Sequence, residues 1–279
     1  TLFRSLGAYG ATQALLQIPL GWLSDRVGRK PVILGGLAIF AFGSGVAAMA
    51  DSMAVIAVGR ALQGAGAISG SVMALAADLT SDEQRTKAMA VIGISIGLSF
   101  ALALIFGPLL AAWGGLEAVF WMTAALALIG MAIVALGVPT AAARRHEDIG
   151  ASPAMMRPVL LDATLQRLNG SVFLLHFMLT ASFLVVPAVI EQVMQVPREG
   201  HWKLYLPVLL LSLIAMYPLL RLSERGGKPV AALRIGVVLM PVSLVALFEG
   251  SNFSLLVAAL IGFFAAVNFL EAALPSLVS

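Results

Sequence analysis

Apolar residues in this chain are gathered into blocks that are long and almost free of charge. Nine such blocks can be drawn, at about 5–24, 31–50, 52–77, 88–112, 117–138, 168–190, 204–221, 231–248 and 252–278. A helix needs about 20 apolar residues to cross the roughly 30 Å of bilayer hydrocarbon. The pattern therefore predicts an all-α integral membrane protein of nine transmembrane helices. Arg60, His176 and Glu271 are the interior exceptions to the apolar runs. The polar connections between blocks are short except for 139–167, which carries Arg144, Arg145, His146, Glu147, Asp148, Pro153 and Pro158. That stretch reads as a solvated linker with a short amphipathic surface helix near its end. It separates an N-terminal bundle at 1–138 from a C-terminal bundle at 168–279.

The position of each charge adds an orientation. Thirteen Lys and Arg residues fall in the connections after blocks one, three, five and seven, and two, Arg198 and Lys203, in the alternate ones. Loops rich in Lys and Arg stay in the cytoplasm, so the first set faces inward and the first block enters from the outer face. Composition agrees: 11% of the residues are charged, against about 25% in a soluble domain. Cysteine is absent, which excludes disulfides, thiol catalysis and cysteine-ligated metals. There is no G-x-x-x-x-G-K-[ST] phosphate loop, no zinc-protease His spacing and no G-x-S-x-G elbow. No enzyme, cofactor or metal is expected. Basic residues confined to loops that flank the membrane argue against nucleic-acid binding.

A repeat runs through the pattern. Pro19-Leu20, Leu23-Ser24-Asp25-Arg26 and Gly28 match Pro218-Leu219, Leu222-Ser223-Glu224-Arg225 and Gly227 at an offset of 199. Lys30-Pro31-Val32 matches Lys228-Pro229-Val230 at 198, so the later copy is one residue shorter. An even number of blocks lies between the copies, which gives a parallel repeat of six-helix units. Two such units need twelve spans. The expectation is an incomplete chain, with one span missing before Thr1 and two after Ser279.

Gly21-x-Leu23-x-Asp25-Arg26-x-Gly28-Arg29-Lys30 resembles the signature loop between helices two and three of the major facilitator superfamily (MFS). Arg60-Ala61-Leu62-Gln63-Gly64-x-Gly66 resembles the fourth-helix motif of that superfamily. Gly107-Pro108 resembles the antiporter motif of its drug–proton branch, with Ala111-Ala112 where the usual Gly-Gly would follow. The stretches Asp78–Ala90 and Asn268–Leu277 are most similar to the YajR-type bacterial transporters. The resemblance implies the MFS fold and secondary transport by alternating access, with residues 1–138 as helices 2–6 of the family and 168–279 as helices 7–10. It also implies that Arg29 pairs with Asp25 and with Asp78 at the end of the fourth helix, a cluster that latches the cytoplasmic side.

The remaining candidates follow from depth and spacing. Arg60 lies nine residues inside its helix from Asp51, or about 13 Å at 1.5 Å per residue, with Gln63 on the same face. A charge at that depth faces the bundle interior or a water-filled cavity. It reads as a proton-relay or substrate-facing residue, or as a structural arginine held by carbonyls. Tyr9, Gln13 and Gln17 share one face of the first span, where they line a cavity or join helices. Glu271, with Asn268 a turn above, is a proton carrier or an interfacial acid. His176 is a titrating group or a packing histidine, and His146 and His201 read as solvated. Gly66 with Gly70 and Gly93 with Gly97 are small-residue pairs suited to helix packing. Gly107-Pro108 is expected to break and kink the fifth span, because proline lacks an N–H and clashes with the preceding turn.

These residues lead to one expectation with alternatives. The protein is a multi-pass transporter of a bacterial inner membrane that acts as a monomer. It expels a small apolar or cationic compound, a xenobiotic, in exchange for protons. Proton-coupled uptake, and a transporter-like sensor or scaffold that moves nothing, are the alternatives.

Overall fold

The computed structural model describes residues 2–66, 68–139, 158, 161–197, 200–250 and 252–276. The regular elements among them are helices: α1 (Leu2–Val27), α2 (Arg29–Ala48), α3 (Met53–Ala65), α4 (Ser69–Leu79), α5 (Asp82–Gly137), α6 (Ala163–Gln192), α7 (His201–Ala215), α8 (Tyr217–Glu224), α9 (Pro229–Glu249) and α10 (Phe253–Ser276). They form two compact units, Thr1–His146 and Glu147–Ser279. Most of the 139–167 linker, with Arg144, Arg145, His146 and Pro153, lies outside the described residues.

Seven helical stretches among the described residues are long and apolar enough to span a bilayer. The two differences from the expected nine have physical reasons. Helix α1 has the length, at 26 residues, but Tyr9, Thr12, Gln13 and Gln17 dilute its apolar run. Ser95–Gly137 forms one continuous stretch, although Gly114 (φ −139°, ψ 23°) and Gly115 (φ 65°, ψ −166°) divide α5 into two helices. That division falls in the gap expected between blocks 88–112 and 117–138. The chain is helical through Gly107 and Pro108, so this pair does not break the span. The non-helical dihedrals come six residues later, where two glycines remove the side-chain restraint. The third block, by contrast, divides unexpectedly: α3 ends at Ala65 and α4 starts at Ser69.

In the first unit α3 packs against both α1 and α2, and α2 packs against α5. The approach of α1 to α3 depends on Gly64, where a Cβ would collide with Thr12 Oγ1 and the Tyr9 carbonyl. Thr12 Oγ1 itself donates to the Ala61 carbonyl at 2.9 Å, which ties the crossing together. Gly66 and Gly70 meet different neighbours, Gly36 and Phe40 of α2 and Gln17 of α1 respectively, while Gly97 faces open space. In the second unit α10 packs against α6, α7 and α9. It is largely apolar apart from Asn268 and Glu271, and Leu256, Leu260, Phe263, Ala266 and Phe269 are at most 1% exposed, as expected of a central helix. Asp162 caps α6 by accepting from the Thr164 and Leu165 amides at 2.8 and 3.0 Å.

Candidate functional site

The first cluster assembles where α1 turns into α2. Val27 ends one helix, Arg29 starts the next, and Gly28 between them has φ 105° and ψ 150°. That conformation is open essentially only to glycine. The tight turn lays Arg29 back along the last turn of α1. Its guanidinium forms an ion pair with Asp25, four residues earlier. It also donates from Nε to Asp78 Oδ2 at 3.2 Å and from Nη1 to Ser24 Oγ at 2.7 Å. Ser24 is 1% exposed and passes its own proton to the Gly21 carbonyl at 2.7 Å. One half-buried arginine therefore joins the ends of α1 and α4, using charge-assisted bonds stronger than neutral ones.

The other two cations of the turn are engaged as well. The Arg26 guanidinium stacks over the Trp22 ring at 3.6 Å from its centroid, a cation–π contact. Lys30 Nζ donates to the Ala135 and Val138 carbonyls at 3.0 and 2.7 Å, where it satisfies the free carbonyls and negative end of α5. Gly21, though part of the motif, has open space where a Cβ would stand.

A second polar group lies inside the apolar part of the unit. Arg60 Nη1 donates to Gln63 Oε1 at 2.7 Å, Gln63 Nε2 donates to Ser44 Oγ at 2.7 Å, and Ser44 Oγ donates to the Phe40 carbonyl at 2.8 Å. Gln63 and Ser44 are fully buried. The Arg60 guanidinium also sits over the Tyr9 ring, 4.6 Å from its centroid. Tyr9, Arg60, Gln63 and Ser44 thus form a continuous chain across α1, α3 and α2. The cation is held by an amide and an aromatic face rather than left in hydrocarbon, where it would be costly. Gln17, two turns along from Tyr9, donates from Nε2 to Ser69 Oγ at 3.3 Å, while its Oε1 is buried without a partner among the described residues. Gln13 lies between them, half-buried.

In the second unit Asn268 Nδ2 donates to the buried Ser212 Oγ at 3.0 Å and joins α10 to α7. Glu271 is exposed and makes no ion pair among the described residues. His176 is exposed too, its Nδ1 3.0 Å from the Val172 carbonyl of its own helix, so it is not a packing histidine within this unit. His201 is the reverse of its expectation. It is 6% exposed, with Nε2 3.1 Å from the Val196 carbonyl and its ring edge against Tyr205. The chain folds back over it after α6, through Gln195 at φ 56°.

Several participants were not singled out in the sequence, among them Ser24, Ser44, Ser212 and Lys30's contact with α5. Ser24 had a signal, since it recurs as Ser223. The Lys30 contact spans more than a hundred residues of chain and had none.

The chain is 41% identical to the inner membrane transport protein YajR of Escherichia coli over 99% of its own length, and spans 61% of that relative. It is 33% identical to an uncharacterized transporter of Buchnera aphidicola, spanning 71% of it. A bacterial homologue of the human lysosomal transporter Spinster, solved inward-facing and unoccupied, superposes with a TM-score of 0.74 at 17% identity, covering 97% of this chain and 66% of that one. The family model of the Major Facilitator Superfamily matches residues 5–279, and the chain belongs to that superfamily.

Proposed function

We propose that the protein is a secondary transporter of a bacterial inner membrane that works by alternating access. It expels a small apolar or cationic compound in exchange for protons. The observation that carries this reading is the Tyr9–Arg60–Gln63–Ser44 chain. A fixed cation deep in an apolar span, held by neutral partners, is free to interact with a passing proton carrier or substrate dipole. The Arg29–Asp25–Asp78 cluster supports the alternating part of the reading: it joins the ends of α1 and α4 on the basic-loop side, at the motif that the family resemblance makes the cytoplasmic latch. The Gly107-Pro108 motif and the likeness to YajR support exchange and an inner-membrane location.

The test is transport in proteoliposomes under an imposed pH gradient. Cationic drug analogues are expected to move against a proton flux, with Arg60→Ala abolishing transport while the protein stays folded. Movement down the same gradient as the protons would make the protein an uptake carrier. Absence of movement under either polarity would refute transport coupled to protons.

A further inference from the structure

The α8–α9 turn of the second unit repeats the sequence pattern of the α1–α2 turn, with a glycine of positive φ in each, but its cations have a different fate. Arg221, Arg225, Lys228 and Arg234 are all exposed, with Glu224 as the acid of the turn, and none makes an ion pair with a described residue. In the first turn Arg26, Arg29 and Lys30 are each engaged by protein groups. Lys228 and Arg234 instead line a hollow of about 550 Å³, together with Gly227, Pro229, Val230 and Ile235.

The walls of that hollow are chemically split. Val230 is 59% and Ile235 47% exposed, and Val237 and Val238 continue the exposed apolar face along α9. Arg234 lies five residues beyond Pro229, the first residue of the span, so about 7.5 Å along the helix axis from its end. An arginine at that depth on an exposed apolar face extends its stem along the helix and lifts its guanidinium toward the headgroup layer. Lys228 waits there at the helix start. A paired basic site above an apolar wall, on the side carrying the basic loops, is complementary to one kind of molecule in its surroundings: a lipid with an anionic headgroup and acyl chains.

We propose that the hollow at the start of α9 seats an anionic phospholipid of the cytoplasmic leaflet, with Lys228 and Arg234 on its phosphate and Val230 and Ile235 against its chains. The inference needs the cytoplasmic placement of this turn but not the identity of any transported compound. The test uses the protein in nanodiscs of phosphatidylethanolamine with phosphatidylglycerol, released gently and weighed by native mass spectrometry. The wild type is expected to retain phosphatidylglycerol in preference to phosphatidylethanolamine. Each cation near an anionic surface contributes about fivefold in partition, so the Lys228→Gln/Arg234→Gln variant should retain it about 30-fold less. Arg26→Gln, which removes one cation outside the hollow, should retain it as the wild type does, and Arg234→Lys should retain most of it. Unchanged retention in the double glutamine variant, or an equal loss in Arg26→Gln, would overturn the proposal. So would displacement of the lipid by inorganic phosphate alone, which would identify a free-anion site.

Discussion

The two copies of the basic turn share a sequence pattern and a glycine of positive φ, and differ in backbone and in what they hold: Gly28 alone separates α1 from α2, whereas residues 225–228 separate α8 from α9. Both pivot on a glycine of positive φ, Gly28 at 105° and Gly227 at 60°, and both put a lysine and a proline at the start of the following helix. In the first copy Arg29 gathers Asp25, Asp78 and Ser24 into one cluster. The second copy is one residue shorter, and the residue lost is the counterpart of Arg29. Glu224 is exposed and makes no ion pair among the described residues. Among the described residues the ion-pair cluster is therefore present at the first turn and not at the second. The latch proposed for this protein resides in the first turn, and the second is left free for another partner.

Substitutions can break this comparison in descending order of effect. Gly28→Asn should cost about 1–3 kcal/mol because its dihedrals lie in a glycine-only region. Gly227→Asn should cost less than about 1 kcal/mol, since asparagine tolerates φ near 60°. Equal losses would mean that the two backbones are strained alike. Arg29→Ala removes both ion pairs and the donor to the buried Ser24 oxygen, and should lower stability by about 1–2 kcal/mol. The second turn has no counterpart of Arg29; Arg225→Ala, at the counterpart of Arg26, should cost less than about 0.5 kcal/mol, and thermal unfolding in detergent compares the members of each pair. Asp78→Asn, in the half-buried pair, should cost about 1 kcal/mol. Asp25→Asn, more than half exposed, should cost about 0.5 kcal/mol or less.

Much of this arrangement was legible in the sequence because lipid imposes strong constraints. The apolar blocks located the helices, the Gly114-Gly115 turn fell between two of them, and the family resemblance implied the pairing of Arg29 with Asp25 and Asp78. The partners of Arg60 were half legible, since Gln63 shares its face while Ser44 comes from another helix. Other features depended on packing that no local pattern records. Lys30 satisfies carbonyls at the far end of α5, and the α3–α4 division appears only where α1 and α2 crowd the helix. His201 looked like a loop residue because its cover is supplied by the fold-back at Gln195. At Gly107-Pro108 the expected break is absent, since a helix can carry a proline without losing its helical dihedrals, as α5 does.

The most direct test concerns the first turn as a gate. The chain has no cysteine, so a reporter at Gln13→Cys can be labelled from the cytoplasmic side of membrane vesicles and read against the protein without the reporter. If Arg29 and its two acids hold that side closed, Arg29→Ala should raise the labelling rate about tenfold, the equivalent of a loss of about 1.4 kcal/mol from the closed state. Paired Glu224→Gln and Arg225→Gln changes in the second turn should leave the rate as it was. Equal rates in all three backgrounds would contradict the account and reduce the first turn to a topology signal.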